Sequence, residues 1–225
     1  ERCQSPAIVL SDHFLANALR TVEALDFDAV TIDRGELLSE ADLDVLQGEY
    51  RRHAFTESGV SPRALPGHPR AVYAPSSDEH DESGHILEDA DNRRRMMDKR
   101  MHKLEAVRPE MRPPTLYGPS RAEVTFVGWG STYGPLREAV DRLNAQGVSA
   151  QMLHLCDVWP FPTAPVAETL AAARRVVAVE NNYSGQLADL IRRATGYHIT
   201  ERILKYDGRP LSPEYILRQF ENVRL

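Results

Sequence analysis

The stretch VTFVGWGSTYGPLREAV, residues 124–140, decides how the second half of this chain folds. An apolar run leads into a turn containing Gly128, Gly130 and Gly134, and then into residues whose apolar positions recur every three or four places. This order predicts a buried strand, a tight turn and an amphipathic helix closed by Gly147. A glycine turn between a strand and a helix also raises the question of whether its N–H groups bind an anion.

The same alternation of strand and helix continues from about residue 113 to the C-terminus. We predict four strands, at 122–127, 148–156, 175–179 and 201–205. We also predict four helices: one at 135–146, one that Thr163 caps, one along the apolar stripe 187–194, and one that begins at Ser212 and Pro213 and runs through Phe220. Such alternation specifies parallel pairing with right-handed crossovers. The predicted fold class is therefore α/β, a three-layer domain built around a parallel sheet.

The first 112 residues are less regular. Residues 7–11, AIVLS, predict a short strand followed by an amphipathic helix through about Ala24, a βα unit whose sheet must be completed by another chain or by preceding sequence. Residues 48–80 predict a long ordered loop. Residues 89–107 predict a helix with acidic residues first and basic residues last, whose core-facing side is a stripe of Met97, Met101 and Leu104.

Composition narrows the function classes. The formal net charge of −6 disfavours a general nucleic-acid binder, and no apolar run is long enough to predict a membrane span. The N-terminus lacks the pattern of a signal peptide, and the two cysteines, Cys3 and Cys156, are used as in a reducing compartment. We expect a cytoplasmic protein with no nucleic-acid or membrane partner.

The glycine turn is the first candidate site. Its spacing, G-x-G-x-x-x-G, is one residue longer than the dinucleotide fingerprint, and the next strand is not followed by the expected acidic residue. Gly130, Ser131 and Thr132 are candidates for binding an anionic cofactor group. The alternative, which we favour, is that the glycines only permit the turn.

A second candidate follows the strand at 175–179. Glu180, Asn182 and Gln186 lie where a parallel strand ends and a helix begins, which is where ligands bind in such sheets. The structural alternative is that Asn182 or Ser184 caps the helix. His154 lies within an apolar strand and is interpreted as a core histidine, so we predict no catalytic residue on this chain.

Charged residues cluster in two further places. Residues 76–85, SSDEHDESGH, could offer ligands to a divalent metal, but their spacing matches no common metal motif and a polar interface loop is the preferred interpretation. A metal-dependent enzyme using His80 and His85 stays open as an alternative hypothesis. The arginines of the 89–107 helix could bind anions, although we favour a solvated or partner-facing side.

Taken in order, several segments resemble one enzyme family. They are PAIVLSDHFLA (6–16), VSPRALPG (60–67), DEHDESGHILEDADNRRRMMDKRMHKLE (78–105), VGWGSTYGPLREAV (127–140), WPFP (159–162) and VENNYSGQLADLIRR (179–193). This series is similar to the C-terminal part of the alpha subunit of 2-oxoglutarate, or more generally 2-oxoacid, ferredoxin oxidoreductases. The resemblance implies that 113–225 is a transketolase-C-terminal-like domain. It also implies that 1–112 is the end of a thiamine-diphosphate pyrimidine-side domain with an interface loop and a connecting helix.

The resemblance also implies an activity, the oxidative decarboxylation of a 2-oxoacid to an acyl-CoA with electrons passed to ferredoxin. Thiamine diphosphate, magnesium and 4Fe–4S clusters would serve the complete enzyme, held mainly by other chains. The family's Tyr-Pro-Ile-Thr-Pro and Gln-Arg-x-Gly-Pro-Ser motifs and its activating glutamate are absent here. We therefore expect a chain that is inactive alone and works with a beta subunit and an N-terminal alpha portion in a two-fold symmetric assembly. The competing hypothesis is a non-catalytic α/β module binding a small molecule between its glycine turn and residues 180–186.

Overall fold

A computed structural model describes residues 1–224. Contacts divide the chain into two units, one of Glu1–Ile8 with Val22–Glu110 and one of Val9–Thr21 with Met111–Leu225. The division concerns contacts alone, so the assignment of 1–112 and 113–225 to particular enzyme domains stays a prediction. Within residues 1–224, no helix is long and apolar enough to cross a membrane.

The second unit is a five-stranded sheet with helices on both faces. Its strands are β1 (Thr115–Tyr117), β2 (Val124–Trp129), β3 (Ala150–Leu155), β4 (Val176–Glu180) and β5 (Glu201–Leu204). Their spatial order is β1-β3-β2-β4-β5, and every pair except β1 with β3 is parallel. The predicted α/β class with a parallel sheet is confirmed, whereas the short antiparallel edge strand was not anticipated.

The helices of this unit are α1 (His13–Asn17), α4 (Tyr133–Ala145), α5 (Thr163–Ala172), α6 (Gln186–Thr195) and α7 (Pro213–Arg224). α4 packs against α7, and α5 packs against α6, so the two pairs cover opposite faces of the sheet. Phe126 and Leu136 belong to one buried cluster, and Val127 and Ile191 belong to the other. Alternate residues of β2 thus face the two cores, as the pleat of a strand requires.

Most predicted boundaries in this unit lie within two residues of the observed ones. The stop at Gly196 is confirmed, because this residue takes the left-handed conformation, φ +78°, at the end of α6. The predicted cap at Thr163 is wrong. Thr163 is the first residue of α5, which begins after Pro162 and has no side-chain cap.

The first unit contains α2 (Glu40–Asp44), α3 (Ala90–Glu105) and a 3₁₀ helix (Arg108–Glu110), with long irregular segments between them. The α3 prediction is confirmed, and the Asp89 side chain caps the helix by accepting from the Asn92 N–H at 2.7 Å. The predicted core stripe is wrong. Met96 is the buried methionine, while Met97 and Met101 are exposed, because the packed face of the helix lies one residue earlier.

The predicted N-terminal βα unit is also wrong. Residues 7–11 have no regular secondary structure, and the helix that follows is only α1, five residues long. A strand needs a neighbour to pair its N–H and C=O groups, and no described residue pairs with this segment. Ile8, Val9 and Leu10 are consequently exposed.

Candidate functional site

Two turns lie side by side at the carboxyl edge of the sheet. One follows β2 and begins with a 3₁₀ helix, Gly130–Thr132, and the other joins β4 to α6. β2 and β4 are neighbours in the sheet, so both turns open onto the same edge. This is the edge at which parallel α/β sheets bind ligands, and it contains all six cofactor-binding candidates.

The glycines explain the shape of the first turn. A Cβ atom on Gly128 would lie 2.4 Å from Leu136 Cδ1 and 2.5 Å from Thr132 Oγ1, so only glycine lets α4 approach β2 this closely. Gly130 has φ +56°, a conformation that other residues seldom adopt. Gly134 meets neither constraint. Two of the three glycines therefore have a purely structural reason to be there.

The hydroxyl groups of the first turn have partners within the second unit. Thr132 is buried and donates from Oγ1 to the Trp129 carbonyl at 2.8 Å. Ser131 Oγ donates to the Asp12 carboxylate and accepts from Asn181 Nδ2 at 3.2 Å. Asp12 thus places a negative charge beside the start of α4. An incoming anion would be repelled there unless Asp12 moved.

Glu180 is the most constrained candidate. The residue is fully buried at the end of β4, and its carboxylate accepts four hydrogen bonds. The donors are Trp129 Nε1 at 3.3 Å, Asn182 Nδ2 at 2.8 Å, and the N–H groups of Leu187 and Ala188 at 2.8 and 3.0 Å. Two of these donors belong to the first turn of α6, so the carboxylate satisfies backbone groups that a helix start leaves unpaired.

Asn182 completes the cap of α6. Its Oδ1 accepts from the N–H groups of Gly185 at 2.7 Å and Gln186 at 3.1 Å. The geometry agrees with the structural interpretation of Asn182. The Gln186 side chain is exposed and forms none of the hydrogen bonds that the structure shows in this network. The assignment of all six residues to cofactor binding stays a prediction.

His154 lies beneath the glycine turn. It is buried on β3, its Nε2 lies 3.2 Å from the Gly130 carbonyl oxygen, and its ring meets Tyr133 edge-on at 5.1 Å between centroids. Burial lowers the pKa of His154 below its ordinary value, so the ring is neutral at pH 7. Its Nε2–H then donates to the carbonyl, as expected of a core histidine.

The two turns leave little space between them. The depression lined by Phe14, Ser131, Pro135, Asn181, Pro210 and Leu211 has a volume of only about 10 Å³. A single ordered water needs roughly that much room. In this conformation the depression cannot admit a cofactor.

The sequence did not identify Trp129, Asp12 and Asn181 as parts of the site. Their side chains form the hydrogen bonds that connect the two turns with each other and with the start of α1. One signal was available. The strand VVAVE ends in a glutamate directly after four apolar residues, and a carboxylate in that position must find buried donors. The identity of those donors depends on pairing between β2 and β4, which local sequence does not reveal.

The acidic loop at residues 76–85 forms ion pairs with other residues of the first unit. Glu79 pairs with Arg93 and Arg100, and hydrogen bonds from Arg100 help to lower the pKa of Glu79 to about 2. His80 stacks on His53 with ring centroids 4.0 Å apart. Among residues 1–224, no group of three or more histidine, cysteine or acidic side chains is arranged to hold a metal ion.

Comparison with known proteins finds a matching family model and several relatives that are similar in sequence. The model of the pyruvate:ferredoxin oxidoreductase core domain II matches residues 122–216. The chain is 40% identical over 216 residues to 2-oxoacid:ferredoxin oxidoreductase 1, subunit alpha, of Aeropyrum pernix, an alignment covering 94% of this chain and 33% of the relative. The corresponding subunit of Sulfurisphaera tokodaii is 35% identical over 215 residues, covering 93% and 33%. The 2-oxoglutarate oxidoreductase subunit KorA of Mycobacterium tuberculosis is 44% identical over 71 residues, covering 32% and 11%.

A solved structure shares the fold over most of the chain. It is a 2-oxoglutarate:ferredoxin oxidoreductase from Magnetococcus marinus with 2-oxoglutarate, coenzyme A and succinyl-CoA bound. The TM-score is 0.77 at 30% identity, and the match covers 87% of this chain and 33% of that one. The chain thus spans about one third of the length of the full relatives that it matches.

Proposed function

We propose that this chain, a homologue of the alpha subunits of 2-oxoacid:ferredoxin oxidoreductases, supplies a scaffolding and subunit-interface part of such an enzyme. The complete enzyme would decarboxylate a 2-oxoacid oxidatively to an acyl-CoA and pass the electrons to ferredoxin. The observation that carries this proposal is similarity along almost the whole chain, at 40% identity over 216 residues to one relative. We infer 2-oxoglutarate or a related 2-oxoacid as substrate because KorA and the Magnetococcus enzyme act on 2-oxoglutarate.

Exposed apolar side chains support the interface role. In the second unit, Val9 is 90% exposed and Leu19 is 99% exposed. In the first unit, the segment 22–32 exposes five large side chains: Val22, Leu25, Phe27, Val30 and Ile32. A surface on which many apolar side chains are exposed close together is typical of a site that binds another protein. The partners we propose are the remaining portion of an alpha subunit and a beta subunit.

The cysteine content of this chain bears on which chain would hold the iron–sulfur clusters of the complete enzyme. Its two cysteines cannot supply the four thiolates of a 4Fe–4S cluster, and both are free thiols. We infer that other chains hold these clusters. The unpaired cysteines also support a cytoplasmic location.

The test is reconstitution. This chain would be co-expressed with a polypeptide covering the preceding two thirds of an alpha subunit and with a beta subunit, and the purified complex assayed for viologen reduction dependent on 2-oxoglutarate and coenzyme A. We expect activity from the complex and none when the 225-residue chain is tested alone or omitted. Turnover by the chain alone, or full activity of a complex that lacks it, would contradict the proposal.

A further inference from the structure

Three neighbouring cations in the first unit form no ion pair with any residue that the structure describes. Lys99 and Lys103 lie one turn apart on α3, and Arg52 approaches them from the loop before it. Lys99 Nζ donates to the His53 carbonyl at 2.8 Å and to Ser61 Oγ at 2.5 Å. The other two cations share Gln4, with Lys103 donating to its main-chain carbonyl and Arg52 to its side-chain carbonyl at 2.6 Å. All of these acceptors are neutral.

Three other arginines on the same helix have carboxylate partners. Arg93 and Arg100 both pair with Glu79, and Arg94 pairs with Asp91 at 2.9 Å. Within residues 1–224, no ion pair is formed by Lys99, Lys103 or Arg52. Arg95, which also forms no ion pair among these residues, instead stacks over the Phe55 ring at 4.0 Å.

Such an arrangement is unfavourable without a counter-charge. Like charges four residues apart on a helix repel, and partial burial removes the water that would screen them. Burial is the largest cause that lowers the pKa of Lys99 to about 8, and nearby cations lower it further. Glu82 has a smaller, opposite effect on this pKa. The cations that lower it are Lys103, Arg52 and Arg100. The pKa of Lys103 is lowered by burial, Arg52 and Arg100, and is raised slightly by Cys3.

We propose that Lys99, Lys103 and Arg52 form a binding site for a small, multiply charged anion of the phosphate class. Hydrogen-bonding capacity supports this class of ligand. An ammonium group has three donors, of which the described residues use two on Lys99 and one on Lys103, and the Arg52 guanidinium keeps several more. The unused donors of these three neighbouring cations suit the multiple acceptor oxygens of a phosphate group. This site lies wholly in the first unit and does not depend on the proposed function.

Phosphate titration of the full chain tests the site. Inorganic phosphate would be added at pH 7 and constant ionic strength while binding is followed by calorimetry. We expect saturable binding, which the double variant K99Q/K103Q weakens by at least about tenfold, since each lost charged donor removes a charge-assisted hydrogen bond. The matched control is R94Q on the same helix, whose guanidinium is exposed and already paired with Asp91. It should bind within about twofold of the wild type.

A measurement on the unmodified chain guards against misfolded variants. The pKa of Lys99 would be measured by NMR from the chemical shift of its Cε atom. This pKa should rise above about 8 when phosphate binds, because an anion favours the charged amine. Binding should correspondingly weaken as the pH rises through that value. Absence of saturable binding, equal binding by K99Q/K103Q and wild type, or an unchanged pKa of Lys99 at saturating phosphate would each overturn the proposal.

Discussion

At the scale of single residues, the Glu180 carboxylate is the most informative group in the second unit. It is fully buried and joins Trp129, Asn182 and the start of α6 through four hydrogen bonds. We predict that Glu180→Ala lowers the free energy of unfolding by about 3 kcal/mol, because the buried donors lose a charged acceptor. Urea unfolding followed by tryptophan fluorescence measures this loss, since Trp129 reports on the site directly.

Two variants control this prediction. Glu180→Gln keeps one acceptor oxygen but turns an amide NH₂ towards backbone donors, so we expect a smaller loss of about 1–2 kcal/mol. Gln186→Ala removes an exposed side chain that joins no bond in the network, and it should change stability by less than about 0.5 kcal/mol. Equal stabilities for Glu180→Ala and Gln186→Ala would contradict the capping role of the carboxylate.

His53 predicts a pH dependence for the first unit. Burial, followed by the charges of His80 and nearby cations, lowers the pKa of His53 from 6.5 to about 4. The unfolded chain therefore binds this proton more readily than the folded chain, so stability should fall as the pH drops from about 6.5 towards 4. Amide hydrogen exchange of α3 measures the effect. The variant His53→Gln should lose less protection over this pH window than the wild type does, and equal losses would argue against His53 as the source.

At the scale of elements, the turn between β2 and α4 offers a matched pair of substitutions. Gly128→Ala should destabilise the second unit by about 1–3 kcal/mol, because the new Cβ would lie 2.4 Å from the fully buried Leu136 and 2.5 Å from Thr132 Oγ1. Gly134→Ala meets no atom beyond its chain neighbours, and it should change stability by less than about 1 kcal/mol, because its gain in helix propensity is offset by crowding against Pro135. Thermal unfolding of both variants distinguishes the positions. A similar effect of both substitutions would show that close packing does not select Gly128.

Elements with their own periodicity could be predicted from sequence, and elements without it could not. The stretch 124–140 carries its strand, turn and helix signals locally, and the observed β2 and α4 begin within two residues of the predicted starts. The antiparallel pairing of β1 with β3 involves only three residues with no distinctive pattern. For residues 7–11 the local signal for a strand was present, but a strand exists only where a neighbour supplies hydrogen bonds.

At the scale of the whole molecule, sequence identified the carboxyl edge of the sheet but not the bonds made there. Chain order places Glu180 and Asn182 at a strand end, whereas the contact of Ser131 with Asp12 joins residues far apart in the chain. Likewise, the unbalanced cations of α3 emerge only when the partners of Arg93 and Arg100 are known. Charge patterns along a sequence do not reveal which charges are already neutralised.

The exposed apolar segment 22–32 yields a prediction about assembly. The triple variant Leu25→Gln, Phe27→Gln and Ile32→Gln should leave the melting temperature of the isolated chain nearly unchanged, because all three side chains are already largely exposed. It should weaken association with the remaining alpha portion and the beta subunit by more than about tenfold, since buried apolar anchors dominate interface energies. Sedimentation of the mixed chains measures this association.

Exposed apolar residues elsewhere in the first unit provide the control. Val45, Leu65 and Val72 are similarly exposed but are scattered along the chain rather than concentrated in one segment. Isolated surface side chains of this kind need no partner, so their replacement by glutamine should leave assembly within about twofold of the wild type. If both triple variants weakened assembly equally, general surface hydrophobicity would explain the association. If neither did, residues 22–32 would not form the interface, and the scaffolding role would have to rest on other surfaces of the chain.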